Sequence, residues 1–241
     1  MKRRVLFALF TVMLIFNLPS VSMAQALKPD LMYCGSSARK GADLYLGVGP
    51  FNEINGCVPN AGTTQALLVT NTGGTITGNG AAWLAYLNAG GVIISSIYVT
   101  NEIYNEIFTK SYLDTVTYPL GCTAATGKNN AMPSLKLNTG HPFWLANSGL
   151  TETPVAIAGC GNDNAAMVAG EAEVTALGGL AGTAVISFAI RPQGTGVFWL
   201  LEADWTGSNI AFTDDSRYFM GALIGNGADL PELIFKDSFE E

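Results

Sequence analysis

Four stretches of the chain are apolar, β-branched or aromatic almost throughout: Leu31–Cys34, Ala66–Thr70, Val92–Ile97 and Ala184–Ile190. Each predicts a strand. A fifth, Val197–Glu202, follows the last after RPQGTG, a turn-forming segment, so the pair predicts a hairpin. Val155–Ala158 is a shorter candidate. Between the second and third strands, AAWLAYLNAG sets Trp83, Leu84, Tyr86 and Leu87 at helical spacing and closes on Gly90-Gly91, a C-terminal stop. Strand, helix, glycine stop and strand make a βαβ unit, and strands apolar on both sides are expected to be covered on both faces. A second helix is predicted over Thr100–Phe108, with Thr100 or Asn101 as cap and Glu102 in its first turn. A third is predicted over Asp215–Ile224, capped by Asp214 and ending near Gly225. Residues 121–137 show no period and read as a long excursion. The pattern implies an open α/β sheet, mainly parallel, with a late antiparallel hairpin at one edge.

The first 26 residues follow a different logic. Lys2, Arg3 and Arg4 precede a twelve-residue apolar run, Val5–Phe16, then Pro19 and the small-x-small sequence Ala24-Gln25-Ala26. This is the pattern of a secretory signal peptide, with cleavage expected after Ala26 or after Ala24. The run is too short to cross about 30 Å of hydrocarbon. The expected organisation is a leader over 1–26, one domain over 27–228 and a tail over 229–241, in a secreted or periplasmic protein.

Removing the leader takes three of the twelve basic residues and none of the nineteen acidic ones, which leaves a formal charge of about −10. Such acidity argues against nucleic acid and anionic membrane surfaces as partners. The four cysteines lie beyond the leader, an even number for an oxidising compartment. They allow three pairings, of which Cys34–Cys57 and Cys122–Cys160 join sequence neighbours and are preferred. A nucleophilic thiol at Cys34 or Cys160 is the functional alternative.

WLAYLNAGGVIISS, TGHPFWLANSGL, GTGVFWLLEADW and the closing DDSRYFMGALIGN, within about residues 65–226, together resemble the class I glutamine amidotransferase-like superfamily. The likeness is to its non-amidotransferase, trehalose-utilisation-like branch. It rests on a double glycine before a strand, a His-Pro turn, a Gly-x-Gly strand entry and a final helix. It implies a three-layer, flavodoxin-like α/β fold. The family's Gly-x-Cys-x-Gly elbow is matched only by AGCGN around Cys160, with Ala158 and Asn162 in the flanking positions, and its His-x-Glu is absent. The resemblance therefore implies a fold rather than an amidotransferase. The last residues, LPELIFKDSFEE, resemble the IFxDGFE tails of secreted gammaproteobacterial proteins, with Ser238 in place of glycine. A sorting tag and an edge strand or frayed end are both open for them.

Chemical candidates are few. LVTNTGGTITGNG (68–80) has two glycines at P-loop separation, but Asn79 and Gly80 stand where the lysine and hydroxyl belong, so it reads as a βα turn. His141, the only histidine, cannot build a multi-histidine metal site. It is a candidate general base, though its place between Gly140 and Pro142 suggests a turn. Glu202 and Asp204 are spaced to share one side of a strand end. With Trp205 they offer a carboxylate pair beside an aromatic platform, or simply a solvated strand end over a buried tryptophan. Ligands of open α/β sheets gather beyond the carboxyl ends of the strands, which selects Ser36, Asn71, Thr72, Ser95 and Asn101 as well.

The expectation is a secreted, disulfide-stabilised, non-catalytic α/β domain that binds an extracytoplasmic ligand or protein. It calls for no cofactor and no metal. The alternatives are a hydrolase of carbohydrate or a related polar substrate through Glu202, Asp204 and His141, and a surface or structural component delivered by its tail.

Overall fold

A computed structural model describes residues 27–35, 51–70, 76–96, 99–113, 131–132, 134–150, 157–158, 164–180, 182–202 and 214–225. Its strands are β1 (Asp30–Cys34), β2 (Asn52–Asn55), β3 (Thr64–Val69), β4 (Val92–Ser95), β5 (Ala131–Met132), β6 (Ser134–Lys136), β7 (Ile157–Ala158), β8 (Thr175–Leu180), β9 (Ile186–Gln193) and β10 (Gly196–Leu201). The helices are α1 (Gly80–Asn88), α2 (Thr100–Phe108), α3 (Pro142–Ala146), α4 (Ala165–Gly170) and α5 (Asp214–Ile224).

Eight strands form one mixed sheet in the order β2-β1-β3-β4-β10-β9-β8-β6, and β5 pairs with β7 separately. The pairs from β2 through β10 are parallel, and those from β10 through β6 are antiparallel. The parallel half has the flavodoxin order, with β10 as its fifth strand. The antiparallel strands do lie at one edge, but the β9–β10 hairpin is extended by β8 and β6 and is not itself the edge.

Side chains alternate across the sheet into two cores. On one face Met32, Leu67, Ile93, Phe198 and Leu200 pack with Trp83 and Leu87 of α1, Ile103 and Tyr104 of α2 and Met167 of α4. On the other, Leu31, Leu68, Ile94, Trp199 and Leu201 pack with Phe143 and Trp144 of α3 and Phe219 to Ile224 of α5. The chain is thus a three-layer α/β/α sandwich. Coverage on both faces explains why every residue of β4 and β10 is buried.

The double glycine after α1 closes it as a Schellman motif. Gly90 N–H donates to Leu87 O and Gly91 N–H to Tyr86 O, at 3.0 and 2.9 Å. Gly90 has φ +87°, a conformation that favours glycine, and a Cβ on Gly91 would lie 2.4 Å from the Tyr86 ring. Cys34, at the end of β1, is disulfide-bonded to Cys57, just past β2. The expected Cys122–Cys160 pair lies outside the described residues.

Two expectations need correction. The excursion at 121–137 contains β5 and β6 at its carboxyl end, because partner strands supply a ladder that its local pattern does not announce. The His-Pro turn is a helix start. His141 is extended (φ −66°, ψ 141°), Pro142 has the φ that the first helical turn needs, and His141 Nδ1 accepts the Phe143 N–H at 3.2 Å.

Candidate functional site

Several of the polar residues that this fold buries gather at the end of the sheet marked by the carboxyl ends of its central parallel strands. β10 ends at Leu201, and Glu202 extends its pairing by one step, donating its N–H to Ser187 O at 2.9 Å. Alternation from Phe198 and Leu200 carries Glu202 to the face covered by α1, α2 and α4. Ser187 of β9 is its cross-strand neighbour. Ser95 of β4 lies diagonally below, beside Leu200. Ser95, Ser187 and Glu202 are all at most 2 % exposed.

Three hydrogen bonds fix Ser95. Its Oγ donates to Trp199 O (3.1 Å), accepts the Leu201 N–H (3.0 Å) and shares a bond with Thr100 Oγ1 (2.9 Å). That last contact anchors the amino end of α2 over the β4–β10 step. Asn101 follows, giving its Nδ2 to Leu113 O at 2.9 Å. From the other side comes Asn164, before α4, whose Nδ2 donates to Leu200 O at 3.3 Å and whose N–H donates to Ile186 O. Asn101 Oδ1 and Asn164 Oδ1 are both buried and accept no hydrogen bond. A buried carbonyl oxygen left in this state costs free energy.

The structure therefore brings Ser95, Asn101 and Glu202 to one end and one face. Ser36, Asn71, Thr72, Asp204 and Trp205 lie outside the described residues. His141 is elsewhere, because α3 packs on the opposite face of the sheet. Its Nδ1 is an acceptor in the helix cap, so the neutral ring carries its proton on Nε2. Burial lowers its pKa.

The described end of the glycine-rich turn before α1, 76–80, is also accounted for, and 71–75 lies outside the described residues. Glu106 of α2 lays Oε1 against Gly78 N–H (2.5 Å) and Gly80 N–H (3.4 Å). These two amides at the start of α1 are thus held by the chain's own carboxylate. The two helices touch closely enough that a Cβ on Gly80 would lie 2.0 Å from Glu106 O.

Sequence reasoning missed a second polar cluster on this face, around Glu171 and Arg191. Glu171 receives Lys110 Nζ at 2.9 Å, Tyr112 Oη at 2.7 Å and Arg191 at 3.6 Å. The bonds from Lys110 and Tyr112 hold its carboxyl below the usual range, and the Tyr112 phenol is pushed up in turn. Arg191 also donates to Tyr104 Oη and lies 3.5 Å over the Phe108 ring. Asn164 and Ser187 were missed as well. Only contacts distant in sequence place them, although Asn164 just before Ala-rich helical sequence is a cap signal.

Among the described residues no three His, Cys, Asp or Glu side chains gather to hold a metal, and no helix is long and apolar enough to cross a membrane. In comparisons with known proteins, the chain matches no protein-family model and no curated protein sequence.

Proposed function

We propose that the chain is a secreted α/β domain that binds an extracytoplasmic polar ligand, without catalysis, beyond the carboxyl ends of β4 and β10 and the amino end of β9. One observation carries this reading. The buried polar side chains Ser95, Thr100, Asn101, Asn164, Ser187 and Glu202 are concentrated at the end of the sheet where open α/β folds receive ligands. The non-catalytic part draws support from His141, which caps a helix on the other face, and from Ser95, whose hydroxyl proton is directed at a backbone carbonyl. Neither is arranged as a nucleophile and its base. The likeness to amidotransferase-like domains agrees with this reading at the level of fold, and the leader supplies the compartment.

The test is an NMR screen of the ¹⁵N-labelled chain against mixtures of polar metabolites. Shift changes are expected to cluster at Ser95, Asn101, Asn164, Ser187 and Glu202, with every compound recovered unaltered. Changes confined to other parts of the sheet would overturn the site. Consumption of a compound, abolished by Glu202→Gln, would replace binding with the hydrolase reading.

A further inference from the structure

We propose that the Cys34–Cys57 bridge is a redox-sensitive clasp that decides which strand forms the outer edge of the parallel half of the sheet. β2 is a poor strand by itself. It has four residues, of which Asn52, Glu53 and Asn55 are exposed. Among the described residues it pairs with β1 alone, and in parallel, the weaker of the two kinds of ladder. Its apolar anchors are Ile54 on one face and Phe51, just before it, on the other, both partly buried. A backbone bond closes each end, from Asn52 N–H to Pro29 O at 2.7 Å and from Gly56 N–H to Tyr33 O at 2.9 Å. β1 is its opposite. Leu31, Met32, Tyr33 and Cys34 are all buried, and β3 holds the other side, where Thr70 N–H donates to Cys34 O at 3.1 Å.

The bridge joins these unequal strands at their carboxyl ends. Cys34 lies in the α1/α2/α4 core with no exposure, and Cys57, partly buried, packs against that core. Trp83 Nε1 donates to Cys57 O at 2.7 Å, so the chain past β2 is pinned to α1 independently of the sulfur. What the bridge alone adds is closure of the loop that contains β2, across a sequence separation of 23. Without that closure, a short polar ladder must hold the loop against its own conformational freedom. The open population rises by roughly two powers of ten on chain-entropy grounds. When β2 lifts, β1 becomes the edge, an apolar strand with one row of backbone groups unpaired, which is the kind of edge that recruits another strand. With the bridge closed, the edge is the polar β2. Closing it takes two electrons and two protons from the thiols, and a disulfide oxidant receives them and becomes a dithiol. An oxidising compartment thus completes the edge, and a reducing one leaves it open. The compartment rests on the secretion reading above; the clasp does not.

The test compares the parent with Cys34→Ala/Cys57→Ala by amide hydrogen exchange. Asn52 and Gly56 N–H, the bonds that close β2, are expected to exchange at least about tenfold faster in the variant. Thr70 N–H, bonded to Cys34 O, and Val197 N–H, bonded to Gly91 O, are expected to keep the parent's rates, because β3 and β10 do not depend on the edge. At equal concentration the variant is expected to sediment as larger species than the parent, through pairing of its open β1. Asn52 and Gly56 accelerated by less than about tenfold would overturn the clasp. All four amides accelerated alike would overturn it too, since the bridge would then hold the whole domain. Fast exchange at β2 with the parent's sedimentation would overturn the recruiting edge. If the alanine pair does not melt cooperatively, Cys34→Val/Cys57→Ala refills the buried position and is read in its place. Failure of both variants to fold also overturns the proposal.

Discussion

The two polar clusters on the α1/α2/α4 face are built from different side chains and are finished differently. Around Glu171 the bonds turn inward: lysine, tyrosine and arginine converge on one carboxylate, and Arg191 goes on to a phenol and an aromatic face. At the carboxyl ends of β4 and β10, Ser95 and Thr100 are tied to the backbone, but two carboxamide oxygens are left without donors. A network that closes on itself locks elements together. The first is an ion network that still leaves Arg191 Nε without a hydrogen-bond partner, and the second is built mainly of uncharged, more deeply buried side chains.

The sharpest way to break the comparison is at Arg191. Arg191→Leu takes the guanidinium from Glu171 and Tyr104 while Lys110 and Tyr112 stay on the carboxylate, and is expected to cost about 1.5–3 kcal/mol in chemical denaturation. A loss under about 1 kcal/mol for the single change would mean that the cluster locks nothing. The satisfied part of the other cluster comes next. Ser95→Ala orphans the buried Leu201 N–H and is expected to cost about 1–3 kcal/mol by the same measurement.

The smallest effect belongs to His141, a polar group serving local structure on the other face. His141→Ala is expected to cost about 1 kcal/mol through the lost cap, and His141→Asn to restore most of it. Its folded pKa is lowered from the ordinary 6.5, so the unfolded chain binds the proton first as pH falls. The contribution of His141 is thus complete above pH 6.5 and declines as pH drops below it toward the folded value. Unfolding curves at about pH 7.5 and about pH 5.5 should show this decline in the parent and lose it in His141→Asn. Glu171, also lowered, contributes above its ordinary 4.5 and fails only in stronger acid, which separates the two groups on the pH axis.

What could be read in advance follows the physics of each element. β4, β10 and α2 were legible because continuous apolar runs and a clean helical spacing are local facts. β2 (NEIN) and β6 (SLK) were not, since each is short with a single apolar residue, and each is a strand through its neighbour's hydrogen bonds. β8 (TALGGL) carries two glycines that read as a loop. One of them, Gly179, is required where a Cβ would lie 2.9 Å from Val185 O. At the site, Ser95, Asn101 and Glu202 followed from the rule about strand ends. Asn164 reaches Leu200 across 36 residues and Arg191 reaches Tyr104 across 87, distances over which sequence pattern is silent.

The carboxylate of Glu106 on the amino end of α1 bears on the order of folding. α1 has no acidic residue in its first turn and no side-chain cap of its own, so in isolation it is a weak nine-residue helix. Its missing charge arrives from a helix that follows β4, after the sheet has brought α2 alongside. Nucleation of α1 therefore waits on a long-range docking event, and the two helices gain their protection against hydrogen exchange together, as one cooperative unit.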